Sequence, residues 1–135
     1  MISGKFAISI HILTLLAKFP DVYLSSEFIA SSINLNPVLV RKEISNLKKN
    51  NIVTSKEGKN GGAKLNLSPS KITLKQIFES TFEEISLGFS KNEPNPKCPI
   101  GKDINQNLSA LYLTLNDSIM KQLENQTLEE FANQF

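Results

Sequence analysis

The decapeptide KEGKNGGAKL, residues 56 to 65, sets Lys56, Lys59 and Lys64 among Gly58, Gly61 and Gly62. A little upstream, Arg41, Lys42, Lys48 and Lys49 crowd into nine positions. Residues 36 to 65 therefore carry seven basic side chains against Glu43 and Glu57, a local charge of +5 in a chain whose net charge is +2. Cations grouped in this way neutralise a localised anionic partner, and a guanidinium can also give two parallel hydrogen bonds to one planar acceptor edge. A solvated face is the plain alternative for the same charges. Residues 102 to 135 hold two bases and five acids, so the positive charge is confined to one region.

The remaining reactive residues are few. Cys98 is the one cysteine and His11 the one histidine. A lone thiol builds neither an internal disulfide framework nor a cysteine-ligated zinc or iron-sulfur site within one chain, so no metal and no cofactor are expected. His11 lies inside an apolar helical run and reads as a structural histidine. No clustered carboxylate pair has an obvious partner, and the glycine loop lacks the spacing and lysine of a P-loop, which argues against an enzyme. The apolar run Phe6 to Ala17 is broken by Ser9, His11 and Thr14 and is too short for a membrane span. No signal peptide is read at the start, so the expected location is the cytoplasm, with no membrane partner.

The elements that must position the cations follow from periodicity. Phe6, Ile10, Leu13 and Ala17 recur at helical spacing and predict a largely buried first helix. After the break at Pro20, Ser25 or Ser26 can cap a short helix running through Ile33, with Glu27 in its first turn, where the helix dipole favours an acid. Asn36 followed by Pro37 predicts the next helix start. In PVLVRKEISNLKKN, Val40, Ile44 and Leu47 share one face, leaving Val38, Arg41, Lys42, Ser45, Lys48 and Lys49 to point outward. Then the period changes. Ile52 and Val53, followed by Leu65 and Leu67, read as two strands joined by the glycine-rich loop, whose glycines at 58, 61 and 62 allow positive φ angles. A β-hairpin directly after a helix-turn-helix is a wing, with its lysines at the tip.

Thr73 and Gln76 predict a capping box for a helix of about ten residues, with Leu74, Ile77, Phe78 and Phe82 available for packing. Residues 88 to 101 hold three prolines and two glycines and read as an irregular loop. The last long helix is expected to begin near Lys102 or Asp103. Its stripe, Ile104, Leu108, Leu111, Leu115, Ile119 and Leu123, advances in steps of three and four. Thr127 and Glu130 predict a further capping box. Since the winged core is expected to be complete by about residue 82, the stripe has little left to cover it in its own chain. It therefore reads as a dimerisation surface, the alternative being that the helix folds back on the first helix. The expected architecture is mainly α with a small β-hairpin wing: a winged helix-turn-helix domain over 1 to 82, an irregular loop carrying Cys98 over 83 to 101, and a dimerisation helix with a short terminal helix over 102 to 135.

This order of elements resembles the Rrf family of bacterial winged helix-turn-helix transcription regulators along the whole chain, from FAISIHILTLLA through the wing SKEGKNGGAKL and ITLKQIFES to the C-terminal helix. NPVLVRKEISNLKKNNIV and PNPKCPIGKDINQNL look most like its YwnA-like, hypochlorite-sensing branch. The resemblance implies that Val38, Arg41 and Lys42 face bases in a major groove while Lys56, Lys59 and Asn60 approach a minor groove. Three departures stand out. Iron-sulfur members carry three cysteines in the loop where this chain has Cys98 alone, so no iron-sulfur cluster is expected. Glu57 stands where a basic residue is common, and Ala63 where an aromatic one is. The related sensors also join two cysteines across the dimer, and SSINLNP contains no second one.

The sequence reading is thus a homodimeric, sequence-specific regulator of transcription that binds double-stranded DNA at a palindromic operator, with repression a family expectation. Its DNA-binding set is Ser25, Ser26, Asn36, Val38, Arg41, Lys42, Ser45, Lys48, Lys49, Lys56, Lys59 and Asn60. Arg41 is assigned to a guanine edge, and Lys48, Lys49, Lys56 and Lys59 to phosphates. Cys98, beside Lys97 and Lys102 and just ahead of a helix, is the candidate redox-sensing residue, with a small packing residue as its plain alternative. The other functions open at this stage are a winged-helix module that docks an acidic protein and a regulator that answers to a small ligand.

Overall fold

The computed structural model describes residues 4–135. In order, the elements are α1 (Lys5–Lys18), α2 (Ser26–Ile33), α3 (Pro37–Lys49), β1 (Val53–Lys56), β2 (Gly62–Leu65), a 3-10 turn (Pro69–Lys71), α4 (Leu74–Ser80), α5 (Pro99–Glu124) and α6 (Leu128–Ala132). The fold is a winged helix-turn-helix followed by a long helix.

The helix starts are set by side-chain caps. Ser25 Oγ accepts from the Phe28 amide, and Asn36 Oδ1 accepts from the Val38 amide at 2.8 Å with Pro37 at the first helical position. Thr73 and Gln76 form the full reciprocal capping box; at α6, Thr127 accepts from the Glu130 amide. Asn34, left-handed at φ 61°, closes α2.

The core gathers Ile12, Leu13 and Leu16 of α1, Ile29 and Ala30 of α2, Val40, Ile44 and Leu47 of α3, and Ile72, Leu74 and Ile77 around the start of α4. On α1 the deepest edge is Ser9, Ile12, Leu13 and Leu16, while Phe6, Ile10 and Ala17 of the expected stripe are half-buried against the same cluster. His11 Nε2 lies 2.9 Å from Ser32 Oγ, a hydrogen-bonded structural histidine.

The hairpin pairs β1 and β2 antiparallel, Val53 opposite Leu65 and Lys56 opposite Gly62. It is tied to the segment entering α2 by two hydrogen bonds: Leu24 N–H donates to Ala63 O at 2.9 Å, and Ala63 N–H donates to Leu24 O at 2.8 Å. Ala63 is fully buried there, which accounts for a small residue at that position. The tip glycines divide their duties differently from the sequence reading. Gly58 and Gly62 have positive φ, but the third such residue is Asn60 at 64°, not Gly61. At Gly62 a Cβ would run into the Leu24 carbonyl, so this glycine lets the wing close on its own domain. Leu67 lies beyond β2 and is exposed.

The C-terminal third differs most from expectation. Pro99 takes the first helical position and Cys98 the cap, so α5 starts three residues before Lys102. The preceding turn is closed by Asn95, whose Oδ1 accepts from the Lys97 amide and whose carbonyl accepts from the Cys98 amide. Phe82 does not pack: α4 ends at Ser80, and Phe82 sits at φ 55° with 81% of its surface exposed. The winged core is also not complete at residue 82. Leu74 N–H donates to Gln126 O and Leu128 N–H to Ile72 O, after which α6 lies on α1, placing Leu128 in the main core and Ala132 beside it. The element that returns to α1 is thus α6, while α5 runs along α4.

Alanine at Gly62 forces either an unfavourable backbone or a parted Leu24–Ala63 pair. Gly62→Ala should lower stability by about 1–3 kcal/mol in thermal unfolding and speed hydrogen exchange at the Ala63 amide. An unchanged melting temperature with a protected Ala63 amide would contradict this packing.

Candidate nucleic-acid interface

Burial of Val40, Ile44 and Leu47 turns the opposite side of α3 to solvent, where Val38, Arg41, Lys42, Ser45, Lys48 and Lys49 are all exposed. Glu43 is only 7% exposed and lines the depression on the Lys42 and Lys49 flank, so the α3 residues that face the wing include no acid. The angular spacing of a helix splits this side into two flanks. Arg41, Ser45 and Lys48 face an open cleft whose other walls are Tyr23 to Phe28 and the wing residues Ser55 to Gly58 and Asn60 to Gly62. Lys42 and Lys49, with Ser45 again, line a second depression beside Lys5 and Phe82.

Most of the sequence-assigned residues meet at the first cleft. Ser25, Ser26, Arg41, Ser45, Lys48, Lys56 and Asn60 all line it. Lys59 is exposed at the tip between two lining residues, Gly58 and Asn60. Lys42 and Lys49 stand on the far flank, and Val38 is 60% exposed in the first turn of α3. Asn36 Oδ1 is occupied by the α3 cap, and Ser25 Oγ by the α2 cap.

Among the lining residues outside the sequence assignment, Glu27, Tyr23 and Glu57 bear most on its electrostatics. Arg41 Nη1 donates to Glu27 Oε1 at 3.5 Å across the cleft. Tyr23 offers its ring to Lys64, whose Nζ is 5.5 Å from the centroid, and Lys64 sits opposite Thr54 within the hairpin instead of at the tip. Glu57 adds a second carboxylate at the wing. The cap at Ser25 put Glu27 in the first turn of α2, but its distance to Arg41 depends on how α2 crosses α3, which no local pattern encodes.

Cys98 does not line this cleft. It is exposed at the start of α5, and the amides of Gly101 first and Ile100 second draw its thiol below the ordinary value, opposed by slight desolvation. Neither amide makes a cap hydrogen bond of full geometry to the sulfur. The first-turn amides act on the sulfur electrostatically and shift the balance toward the thiolate.

The long helix supplies a different surface. It has 26 residues, about 39 Å at 1.5 Å each, and none is buried. Ile104, Leu108, Leu115, Ile119 and Leu123 are half-buried, whereas Leu111 is 50% exposed. Part of the cover comes from the segment after α4: Asn116 Oδ1 accepts from the Ile85 amide, Tyr112 donates its hydroxyl to Gly88 O, and the Phe89 and Tyr112 rings meet edge to face. Leu87, Ile100, Leu111 and Leu113 remain exposed around it. No helix among the described residues is long and apolar enough to cross a membrane.

The chain matches the family Rrf2, described as iron-dependent transcriptional regulator, over residues 2–134. It is 38% identical over 133 residues, 98% of each chain, to YwnA of Bacillus subtilis (strain 168), whose name places it provisionally among HTH-type transcriptional regulators. CymR of B. subtilis, the global cysteine regulator, superposes with a TM-score of 0.73 at 26% identity, covering 100% of this chain and 98% of CymR. IscR of T. potens shares the fold at 20% identity, with a TM-score of 0.73 over 99% of this chain and 87% of that one. The iron in the family description finds no matching donor set in this chain. Iron-sulfur ligation needs several thiolates, the sequence has one, its single histidine bonds to Ser32, and no three His, Cys, Asp or Glu side chains gather among the described residues. Its own residues build a capped helix with an outward cationic side, a wing docked beside it, and a long helix beyond. The chain belongs to the Rrf2 family of winged helix-turn-helix transcriptional regulators.

Proposed function

We propose that the protein is a homodimeric repressor that reads a palindromic operator by inserting the outward side of α3 into the major groove. The observation that carries this reading is the shared cleft, in which Arg41 and Lys48 of α3 face Lys56 and Asn60 of the wing. A duplex seated there meets cations on both flanks of α3, with Lys42 and Lys49 toward one strand and Lys48 and the wing toward the other. Phosphate contacts of this kind fix register and affinity without reading sequence. Arg41 supplies the reading, as a bidentate donor to a guanine edge. Lys59 and Asn60 at the wing tip approach the adjacent minor groove. A module docking an acidic protein would use the same charges, but it would not need a guanidinium and wing lysines arranged around one cleft.

Two subunits are joined by α5. An exposed helix of this length with Leu111, Leu113 and Ile100 uncovered calls for a partner, and a second copy of the same stripe is self-complementary. A two-fold pair sets the two α3 helices about one DNA turn, or a multiple of it, apart.

A response to oxidants is the finer reading, favoured by the exposed, acidified thiol of Cys98. Its thiolate attacks the chlorine of hypochlorous acid and releases hydroxide; water then displaces chloride to leave a sulfenic acid. A thiolate of the second subunit's Cys98 completes a disulfide by expelling hydroxide. A small ligand acting in place of an oxidant is the competing regulation.

Arg41→Ala should cost about 1–3 kcal/mol of preference for the protein's own upstream region over random DNA in gel shifts, while the salt dependence of binding persists; full discrimination would remove Arg41 from the reading. Leu111→Arg should convert dimers to monomers in sedimentation velocity, and a variant that stays dimeric would refute pairing through α5. Alkylation of Cys98 should reach its half-maximal rate at a lower pH in the folded protein than in an unfolded peptide of the same sequence. Hypochlorous acid should weaken DNA binding of the wild type and spare Cys98→Ser, whereas equal responses would exclude this thiol.

A further inference from the structure

Within the proposed DNA-reading function, on which this inference rests, we infer that Glu27 is a positioning residue for Arg41 and thereby sets how strictly the protein demands a guanine. The two side chains meet at 3.5 Å from different helices, the first turn of α2 and the outward side of α3. They are 71% and 52% exposed respectively, so their attraction is screened by water and does little for folding. A carboxylate on the wall of a cleft that faces a polyanion also weakens binding to DNA of every sequence. Its effect must therefore be sought in what it does to the guanidinium.

Arginine has a long stem with many rotamers and a planar fork of five donors. Glu27 engages Nη1, which leaves Nε and Nη2, two parallel donors on one edge, free for the O6 and N7 of a guanine. Holding the fork lowers the ordering cost of that contact, because Arg41 arrives already directed into the cleft. The same pair acts against wrong sequences. Where no guanine receives Arg41, its charge stays matched to Glu27 and is not released to a phosphate, and the carboxylate remains an uncompensated repulsion. Affinity for random DNA falls, and the difference between right and wrong DNA widens. Glu27 thus acts in this reading through Arg41 and not by touching a base. The alternative, acceptance of a hydrogen bond from a cytosine amino group, is available to any carboxylate in a major groove and has to be separated experimentally.

The probe is a duplex enriched by the wild-type dimer from a random-sequence pool, compared at fixed salt with the unselected pool. The readout is the ratio of the two affinities for wild type, Glu27→Gln, Glu27→Ala, Arg41→Ala and the Glu27→Ala, Arg41→Ala pair. Glu27→Ala should lower the ratio about tenfold, relaxing one guanine position while binding to the pool is unchanged or tighter. Glu27→Gln, whose carbonyl can still accept from Nη1, should retain more of the ratio than Glu27→Ala. In the Arg41→Ala background, removing Glu27 should change no base preference. An unaltered ratio in Glu27→Ala would overturn the inference and show plain repulsion. Relaxation of a base that persists without Arg41 would overturn it in favour of direct reading. A wild type that enriches no sequence would instead refute the DNA-reading function itself.

Discussion

Two hydrogen bonds between Leu24 and Ala63 hold the wing against the strand-like segment that leads into α2. A two-stranded hairpin of four residues a side is marginal by itself. Here it gains a bridge to a third segment at Leu24, a buried methyl at Ala63 and a glycine that allows the approach. Because the same segment runs straight into the Ser25 cap, the position of the wing and that of α2 are fixed by one set of contacts. This junction sets the wing wall of the cleft, while the opposition of Glu27 to Arg41 rests on the direct packing of α2 on α3.

The electrostatics of the cleft are more balanced than its composition suggests. The α3 residues that face the cleft include no acid, yet Glu27 and Glu57 return two carboxylates from neighbouring elements. A surface made only of lysines would hold any DNA strongly and read little, since phosphate contacts carry no sequence information. Acids beside a guanidinium trade affinity for selectivity.

Much of this was legible in the chain. Ser25, Asn36, Thr73 and Thr127 each announced a helix start because capping is a local bargain between a side chain and the next few amides. The outward set on α3 was equally readable from its period. What failed was decided at a distance. Phe82 belonged to an apolar run and still points outward, because α4 stops two residues earlier. The start of α5 was placed late, since Pro99 and Gly101 looked like loop residues; one opens the helix and the other lies where a Cβ would strike the Asn95 carbonyl. The pairing of Glu27 with Arg41 depends on how two helices cross, and the return of Leu128 to the core depends on where a 26-residue helix ends.

That return ties the two ends of the chain together. Residues 83 to 98 form no helix or strand, so they are the natural place for the backbone to be cut. Ahead of such a cut lie α1 and Ile72; behind it lie the Gln126 carbonyl, the Leu128 amide and the apolar side of α6 that seats on α1. A nicked molecule would keep both fragments clasped in one body, and the shorter fragment, supplied separately, would complement the longer one.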